Sequence, residues 1–427
     1  MTRVSNSQIG YCSFSSLPLP LHLLPAERLI PPFARRDITS YHRLCASRVA
    51  FSCPTPTPSL PASTASIRHS IAQPHELLQS ERGLSVLLEA GRRLRLDPTN
   101  PRSVGYVQIL EGLRQQRLLA YLELDPSTGH IARLLIPHIT RVIALSTGDD
   151  NTLQVGLAQS HARHVLRPDG PDYALLAGQL RDALASRAPL IVTEDDAHTI
   201  IDVRAFVPGP DRPAPPWLDE PPPTPAGPLL FFWRGLKRLW CWRHWPWRCW
   251  RCISLTRAQA VFNTLSATTC NPLTVPPPCI PFLYPDDGCW GRAHEMCRLM
   301  IAMGLMPQKV WIRGNLHTLT RNNPNCYVDW GWHVAPTLCV RSRRFYKTEP
   351  MVMDPALFQE PVSKPTWQGV QGDPTSTLTD SAASVFYLWS NETDPTYSKT
   401  NQVLATYRLQ LQLRSINVGP PPYAFCP

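Results

Sequence analysis

At 427 residues and 48.0 kDa the chain is too long for one hydrophobic core, which rarely grows past about 250–300 residues, so two or three domains are expected. Its 43% hydrophobic residues suffice for a packed interior, while 47 prolines demand long stretches of linker or extended backbone, since ordinary usage is only about 5%. The formal charge of +10 admits nucleic acid, an anionic membrane or an acidic protein as partner. Much of the excess falls in one short stretch, however, and no helix-turn-helix, zinc-finger or RNA-recognition signature accompanies it, which argues against a nucleic-acid-binding domain.

Residues 1–73 are rich in Ser and Pro with little periodicity, and read as a disordered leader or a mis-assigned start. Within them Phe14–Pro25 is mildly apolar, but its prolines make it a poor signal peptide. Residues 74–208 read as a compact α+β domain. His75–Leu96 is expected to form one or two helices, and Tyr106–Leu110 and Leu118–Leu124 strands; Asp125-Pro126-Ser127-Thr128-Gly129 has the chemistry of a hairpin turn. Apolar runs at Ala132–Ile136, Val142–Leu145 and Leu153–Leu157 follow. Tyr173–Ala185 has helical spacing, with Leu175, Leu176, Leu180 and Leu184 on one side, and Ile191–Val192 and Ile200–Val207 close the domain as strands. This region shows no constellation of catalytic residue types, which leaves an inhibitory, targeting or structural role.

Residues 209–253 combine a proline linker with the stretch Leu229–Cys252, where six tryptophans alternate with Arg and Lys. Each central Arg costs roughly 2.5–3.5 kcal/mol on insertion, so this is no transmembrane helix. Trp with Arg suits a membrane surface, or stacking on single-stranded nucleic acid, but the plain reading is an exposed connector. Of thirteen cysteines, three precede residue 60 and ten follow residue 240, a clustering that suggests disulfides formed in an oxidising compartment, hence export. Cys249-Trp250-Arg251-Cys252 fits disulfide use better than zinc, and Cys270 and Cys279 bracket a loop as disulfide halves would. The odd count leaves at least one thiol free or paired between chains.

Residues 254–427 carry the chemistry. Ala258–Leu265 reads as a helix. From Trp290 the spacing of Ala293, Met296, Met300 and Met303 is again helical and Gly304 ends it, so Cys289 sits where a loop enters a helix. Such an end lowers a thiol pKa and offers N–H groups to an oxyanion. Tyr327–Val340 alternates in part like a strand with His333 at its middle. Phe345–Met353 returns as a second, short, bulged or edge strand interrupted by Pro350 and delivers Asp354, which could set the imidazole tautomer. Cys, His, Asp in this order on helix, strand and strand end is the papain-like or transglutaminase-like arrangement.

Five motifs then stand in series: Asp287-Gly288-Cys289, Arg292-Ala293-His294, Gly314-Asn315-Leu316, Trp330-Gly331-Trp332-His333-Val334-Ala335 and Asp354-Pro355-Ala356-Leu357-Phe358. They resemble bacterial protein glutaminase (protein-glutamine deamidase), over about Asn263 to the C-terminus. The resemblance implies a secreted enzyme made with a pro-region and a transglutaminase-like core. It places the nucleophile on Cys289, the general base on His333 and the orienting carboxylate on Asp354. Trp290 and Gly291 depart from the family's usual Tyr-Ala, and Trp332 from its usual Tyr. Trp330 and Trp332 are candidate walls of a glutamine channel, with core packing an equal alternative, and Asn315 a candidate contact near the site. His294 is expected to pack rather than act as base, Asp286 and Asp287 to shape the loop, and Cys297, Cys326, Cys339 and Cys426 to be structural. No cofactor or metal is expected, and partners are proteins or peptides bearing glutamine. Transglutaminase-type transfer to amines, or a non-catalytic membrane-binding protein working through residues 229–252, are the alternatives.

Overall fold

The computed structural model describes residues 69–80, 83–89, 91–148, 150–209, 252–341 and 347–427, all within one compact unit, Ala65–Pro427. The export-signal reading of Phe14–Pro25 and nearly all of the Trp/Arg stretch lie outside the described residues.

The N-terminal half is built from small antiparallel sheets. β1 (His69–Ala72) pairs with β5 (Ala120–Leu124), which pairs with β6 (Ile131–Leu135), so the last residues of the expected leader belong to the fold. β2 (Pro74–Ser80), β3 (Gly83–Leu88) and β4 (Arg93–Leu96) form a meander where helices were expected. Leucine content favours a helix, but the buried side chains recur at every second position, Val86 and Leu88, then Leu94 and Leu96, which is the period of a half-buried strand. The opposite correction holds at Tyr106–Leu110, which lies inside helix α1 (Pro101–Gln116). Tyr106, Ile109, Leu110 and Leu113 are buried at i, i+3, i+4 and i+7. The Asn100 side chain caps the helix by accepting from Arg102 N–H at 2.9 Å, with Pro101 at the first position. The expected hairpin turn forms, with Asp125 accepting from Ser127 N–H at 2.8 Å and Gly129 at φ 70°. β7 (His138–Thr140) pairs with β11 (Leu190–Glu194) and that with β12 (Ile200–Ala205); β8 (Val142–Thr147), β9 (Leu153–Leu157) and β10 (His164–Leu166) form a third sheet. Helix α2 (Tyr173–Ser186) covers them with Leu176, Ala177, Leu180 and Ala183, whereas Leu175 faces solvent.

The C-terminal half is a sheet with helices. β13 (Ile253–Ser254) leads into α3 (Leu255–Ser266), and the loop after it precedes α4 (Cys289–Ala302). A long hairpin, β14 (Gln308–Leu319) and β15 (Tyr327–Arg341), is extended by β16 (Thr348–Val352) and β17 (Val362–Ser363) on one side. After α5 (Lys364–Gly369), β18 (Thr377–Ala382) joins the other side, giving the order β17-β16-β15-β14-β18, with β13 parallel to β15. β16 is five residues long and takes Pro350 opposite Cys339. β19 (Val385–Tyr387) and β20 (Glu392–Thr393) form a small ribbon, and α6 (Ser398–Asn417) closes the chain.

α6 belongs to two interiors. Its Leu404 packs with α3 and α4, while Leu409 and Leu413 complete the core of β2–β6 and α1. The seam with α1 is close because Gly105 and Gly112 face it. A Cβ at Gly112 would stand 2.6 Å from Leu409 Cδ2, and one at Gly105 2.8 Å from Ile416 Cδ1. Disulfides join Cys252 to Cys339, Cys270 to Cys279 and Cys326 to Cys426; Cys289 and Cys297 are free and buried.

Candidate active site

Cys289 is the first residue of α4 and is 1% exposed. Gly288 before it lies at φ 82°, ψ 15°, a left-handed conformation that only glycine takes freely. Space imposes the same choice, since a Cβ there would stand 2.3 Å from Tyr407 Cδ2. The side chain of Arg292 folds back under the turn and donates to the carbonyl of Tyr284 at 2.8 Å and to that of Asp287.

The two aspartates ahead of the glycine are buried and face opposite anchors. Asp286 accepts both guanidinium nitrogens of Arg414, at 2.6 and 3.0 Å, and a side-chain N–H of Asn323, while its carbonyl accepts from Trp330 Nε1 at 3.0 Å. Asp287 accepts from Tyr407 Oη at 2.7 Å, Ser160 Oγ at 2.8 Å and its neighbour Gly288 N–H at 2.9 Å, and lies 2.7 Å from His161 Nδ1. Burial alone would raise both carboxyls, but Arg414 beside Asp286, and His161, Tyr407 and Ser160 around Asp287, hold both below the ordinary range.

His333 sits on β15, 1% exposed, and its Nε2 is 2.9 Å from Asp354 Oδ2. The same oxygen accepts from Trp367 Nε1 at 2.9 Å. The imidazole stacks between Trp330, 4.4 Å away, and Trp367, 5.5 Å away, so its plane is set from both sides. Burial opposes charge on Asp354, yet the His333 ring and the Trp367 N–H keep its carboxyl below the usual value. The ligand atoms of Cys289 and His333 lie within 4.8 Å of each other. The structure therefore brings Cys289, His333 and Asp354 together.

It also brings in a residue that the sequence did not mark. His161, from the N-terminal half, puts Nδ1 3.4 Å from Cys289 Sγ. Its ring centroid stands 5.3 Å from those of Trp330 and Trp332, 5.9 Å from that of His333 and 6.0 Å from that of Trp290. This half, expected to carry no constellation of catalytic residue types, thus sets a single histidine beside the thiol. Ala162 bridges antiparallel to Trp330, Gly331 N–H donates to His161 O at 2.9 Å, and Arg163 N–H to Asp329 O at 3.1 Å. β16 pairs with β15 only from Thr337 onward, so the earlier stretch of that edge is open to the segment Ser160–Arg163, which meets it through the single bridge Ala162–Trp330. Contacts across 126 residues or more of sequence carry no periodicity, which is why composition gave no hint of them.

A helix N-terminus lowers a thiol pKa, but here burial dominates and pushes the Cys289 thiol up, well above its ordinary value. Burial also pushes His161 down to about 4, Asp287 opposing, so that imidazole is neutral near pH 7.

The other expected residues are placed as follows. Trp332 packs among Trp290, Trp311, Tyr387 and Trp389, with one face toward His161. Asn315 is exposed on a bulge of β14, its N–H donating to Asp373 at 2.7 Å, and no hydrogen bond among the described residues joins it to Cys289, His333 or Asp354. His294 is buried against Phe386 and Tyr397, with Lys309 Nζ 2.9 Å from its Nδ1, so it packs as expected. Cys297 is a buried free thiol.

Comparison with known proteins follows this geometry. Residues 258–371, which span all three of these residues, match the family model described as glutaminase. Among solved structures the chain is similar to a pro-protein-glutaminase at 21% identity, covering 69% of this chain and 99% of that one with a TM-score of 0.44. It is similar to a protein-glutaminase at 29% identity, covering 37% and 90% with a TM-score of 0.34. The NMR structure of protein-glutaminase from Chryseobacterium proteolyticum gives 29% identity, 35% and 84% coverage, and a TM-score of 0.32. No curated protein matches. The segment that carries Cys289, His333 and Asp354 belongs to the glutaminase family.

Proposed function

We propose that the chain is the latent form of an enzyme that hydrolyses glutamine side chains of proteins to glutamate and ammonia. The observation that carries this reading is the His333–Asp354 pair at 2.9 Å, set beside a cysteine at a helix start inside the glutaminase match. Asp354 takes the proton-bearing Nε2 of His333, which leaves Nδ1, buried and without a hydrogen-bond partner, to exchange a proton with Cys289. In the transglutaminase-like mechanism the thiolate attacks the carboxamide carbon. The N–H of Cys289 at the helix start steadies the oxyanion, and protonated His333 gives its proton to departing ammonia. Water, deprotonated by His333, then cleaves the thioester and frees the carboxylate. Asp354 orients the ring throughout.

In the same reading residues 74–208 are a pro-region, 209–253 a linker containing the cleavage zone, and 254–427 the catalytic domain. Ser160–Arg163 occupies the strand edge beside the nucleophile, and His161 fills a box walled by Trp290, Trp330 and Trp332. Imidazole and carboxamide have similar reach from the backbone, so a glutamine on a peptide paired with the same edge would bring its Cδ to Cys289. The three disulfides suit an exported protein.

The test is ammonia release from casein and from a blocked glutamine dipeptide, by the full chain before and after limited tryptic nicking at the Arg and Lys of residues 229–252. Release that rises about a hundredfold or more on nicking, and vanishes in Cys289→Ala, is expected, since loss of a nucleophile costs that much or more. Amine adducts without glutamate would move the activity to transglutaminase. A nicked, folded chain that releases nothing would overturn the reading.

A further inference from the structure

The buried cluster around the nucleophile has the composition of a metal site. His161, Cys289 and His333 are each 1% exposed, and their ligand atoms all lie within 4.8 Å of one another. We propose that the latent chain binds one zinc ion at His161, Cys289 and His333, tying the N-terminal cover to the thiol.

One thiolate with two imidazoles suits zinc, and bonds of about 2.3 Å to sulfur and 2.0–2.1 Å to nitrogen give tetrahedral edges of about 3.3–3.6 Å. His161 lies against the thiol, its Nδ1 3.4 Å from Cys289 Sγ but held by Asp287 at 2.7 Å, which leaves its Nε2, buried with no hydrogen-bond partner, to take the ion. His333 has its Nε2 held by Asp354, the carboxylate–histidine arrangement that orients metal-bound imidazoles, and its Nδ1 is buried with no hydrogen-bond partner. Charge points the same way. Asp287, 2.7 Å from His161 Nδ1, is a buried carboxylate whose other donors, Ser160, Tyr407 and the backbone N–H groups of His161 and Gly288, are neutral; among the described residues no Lys or Arg pairs with it. Zinc offsets the thiolate and one of the two buried carboxylates, Asp287 and Asp354, that hold the ligand imidazoles. On binding, the Cys289 S–H bond breaks, an S–Zn bond forms and one proton leaves to solvent; nothing is oxidised or reduced. Because His161 comes from one half of the fold and Cys289 and His333 from the other, the complete site exists only while the cover is docked. That the ion also enforces latency rests on Cys289 being the nucleophile.

The experiment titrates metal-free full-length chain with zinc, and with cobalt(II) as a spectroscopic probe. About one ion per chain and a thiolate-to-cobalt charge-transfer band are expected. Cys289→Ser, which preserves side-chain volume and fold, should abolish the band. His161→Gln should weaken binding about tenfold or more. His164→Gln, in the neighbouring His164–Glu194–His198 cluster, should leave the band in place. No stoichiometric binding, cobalt bound without the band, or unchanged affinity in His161→Gln would each overturn the site. Ammonia release from nicked chain kept in chelator separates the two readings: a chain that deamidates but never bound zinc sinks only the metal site. One that binds zinc through Cys289 yet is inactive when nicked sinks only the enzymatic reading.

Discussion

At the scale of single residues, the turn before α4 is the most constrained part of the site. Gly288 combines a positive φ with a Tyr407 ring too close for any Cβ, and that ring cannot swing away because its hydroxyl donates to Asp287 at 2.7 Å. Gly288→Ala is therefore expected to lose about 2–4 kcal/mol of stability, from the left-handed backbone and overpacking together, and most activity of the nicked chain. Thermal unfolding alongside ammonia release checks this; a variant within about 0.5 kcal/mol of the parent would sink it. Cys289, His333 and Asp354 were legible in the sequence because each stands in a local motif whose residue types carry the chemistry. His161 was not. Its position beside the thiol depends on pairing with Trp330 and Gly331, a contact that no local pattern encodes.

Elements show where local propensity misleads. The leucine-rich run His75–Leu96 reads as helix until the alternation in Arg93-Leu94-Arg95-Leu96 is given precedence, and Tyr106–Leu110 reads as strand unless Leu113 is counted with it. C-terminal elements were easier: α4 and β15 are long, strongly patterned and close to their expected bounds. The α1–α6 seam was hidden, because glycines in a helix are a signal of close approach only once the partner is known. Gly112→Leu should wedge α1 away from Leu409, costing about 1–3 kcal/mol. Reaction of Cys289 with an alkylating reagent in the un-nicked chain should then quicken, and an unchanged rate would show that the seam does not hold the cover.

Across the whole molecule, the N-terminal half is held over Cys289 by buried ionisable groups. His198 Nδ1 lies 3.0 Å from Glu194 Oε1 and its Nε2 3.6 Å from Asp286 Oδ1; His164 also meets Glu194, and Arg414 binds both Asp286 and Asp196. Burial opposes charge on His198, but Glu194 and Asp286 outweigh it and raise its pKa well above 6.5. Glu194 stays beside His198 when the N-terminal half is released, so only the Asp286 contact ties this proton to docking. That share of the hold is present while His198 is protonated and is lost as pH rises through the elevated value. Un-nicked chain should therefore loosen toward alkaline pH, read as faster Cys289 alkylation after correction for thiol ionisation, and His198→Gln should flatten that dependence; a parallel profile would remove His198 from the hold. One further consequence lies in α6. Leu409 and Leu413 are core residues only while α1 and the small sheets lie over them. If the N-terminal half is released as proposed, they become a greasy ridge on the helix whose Tyr407 braces the turn before Cys289. The freed enzyme would then meet unfolded, apolar-rich chains more readily than polished native surfaces.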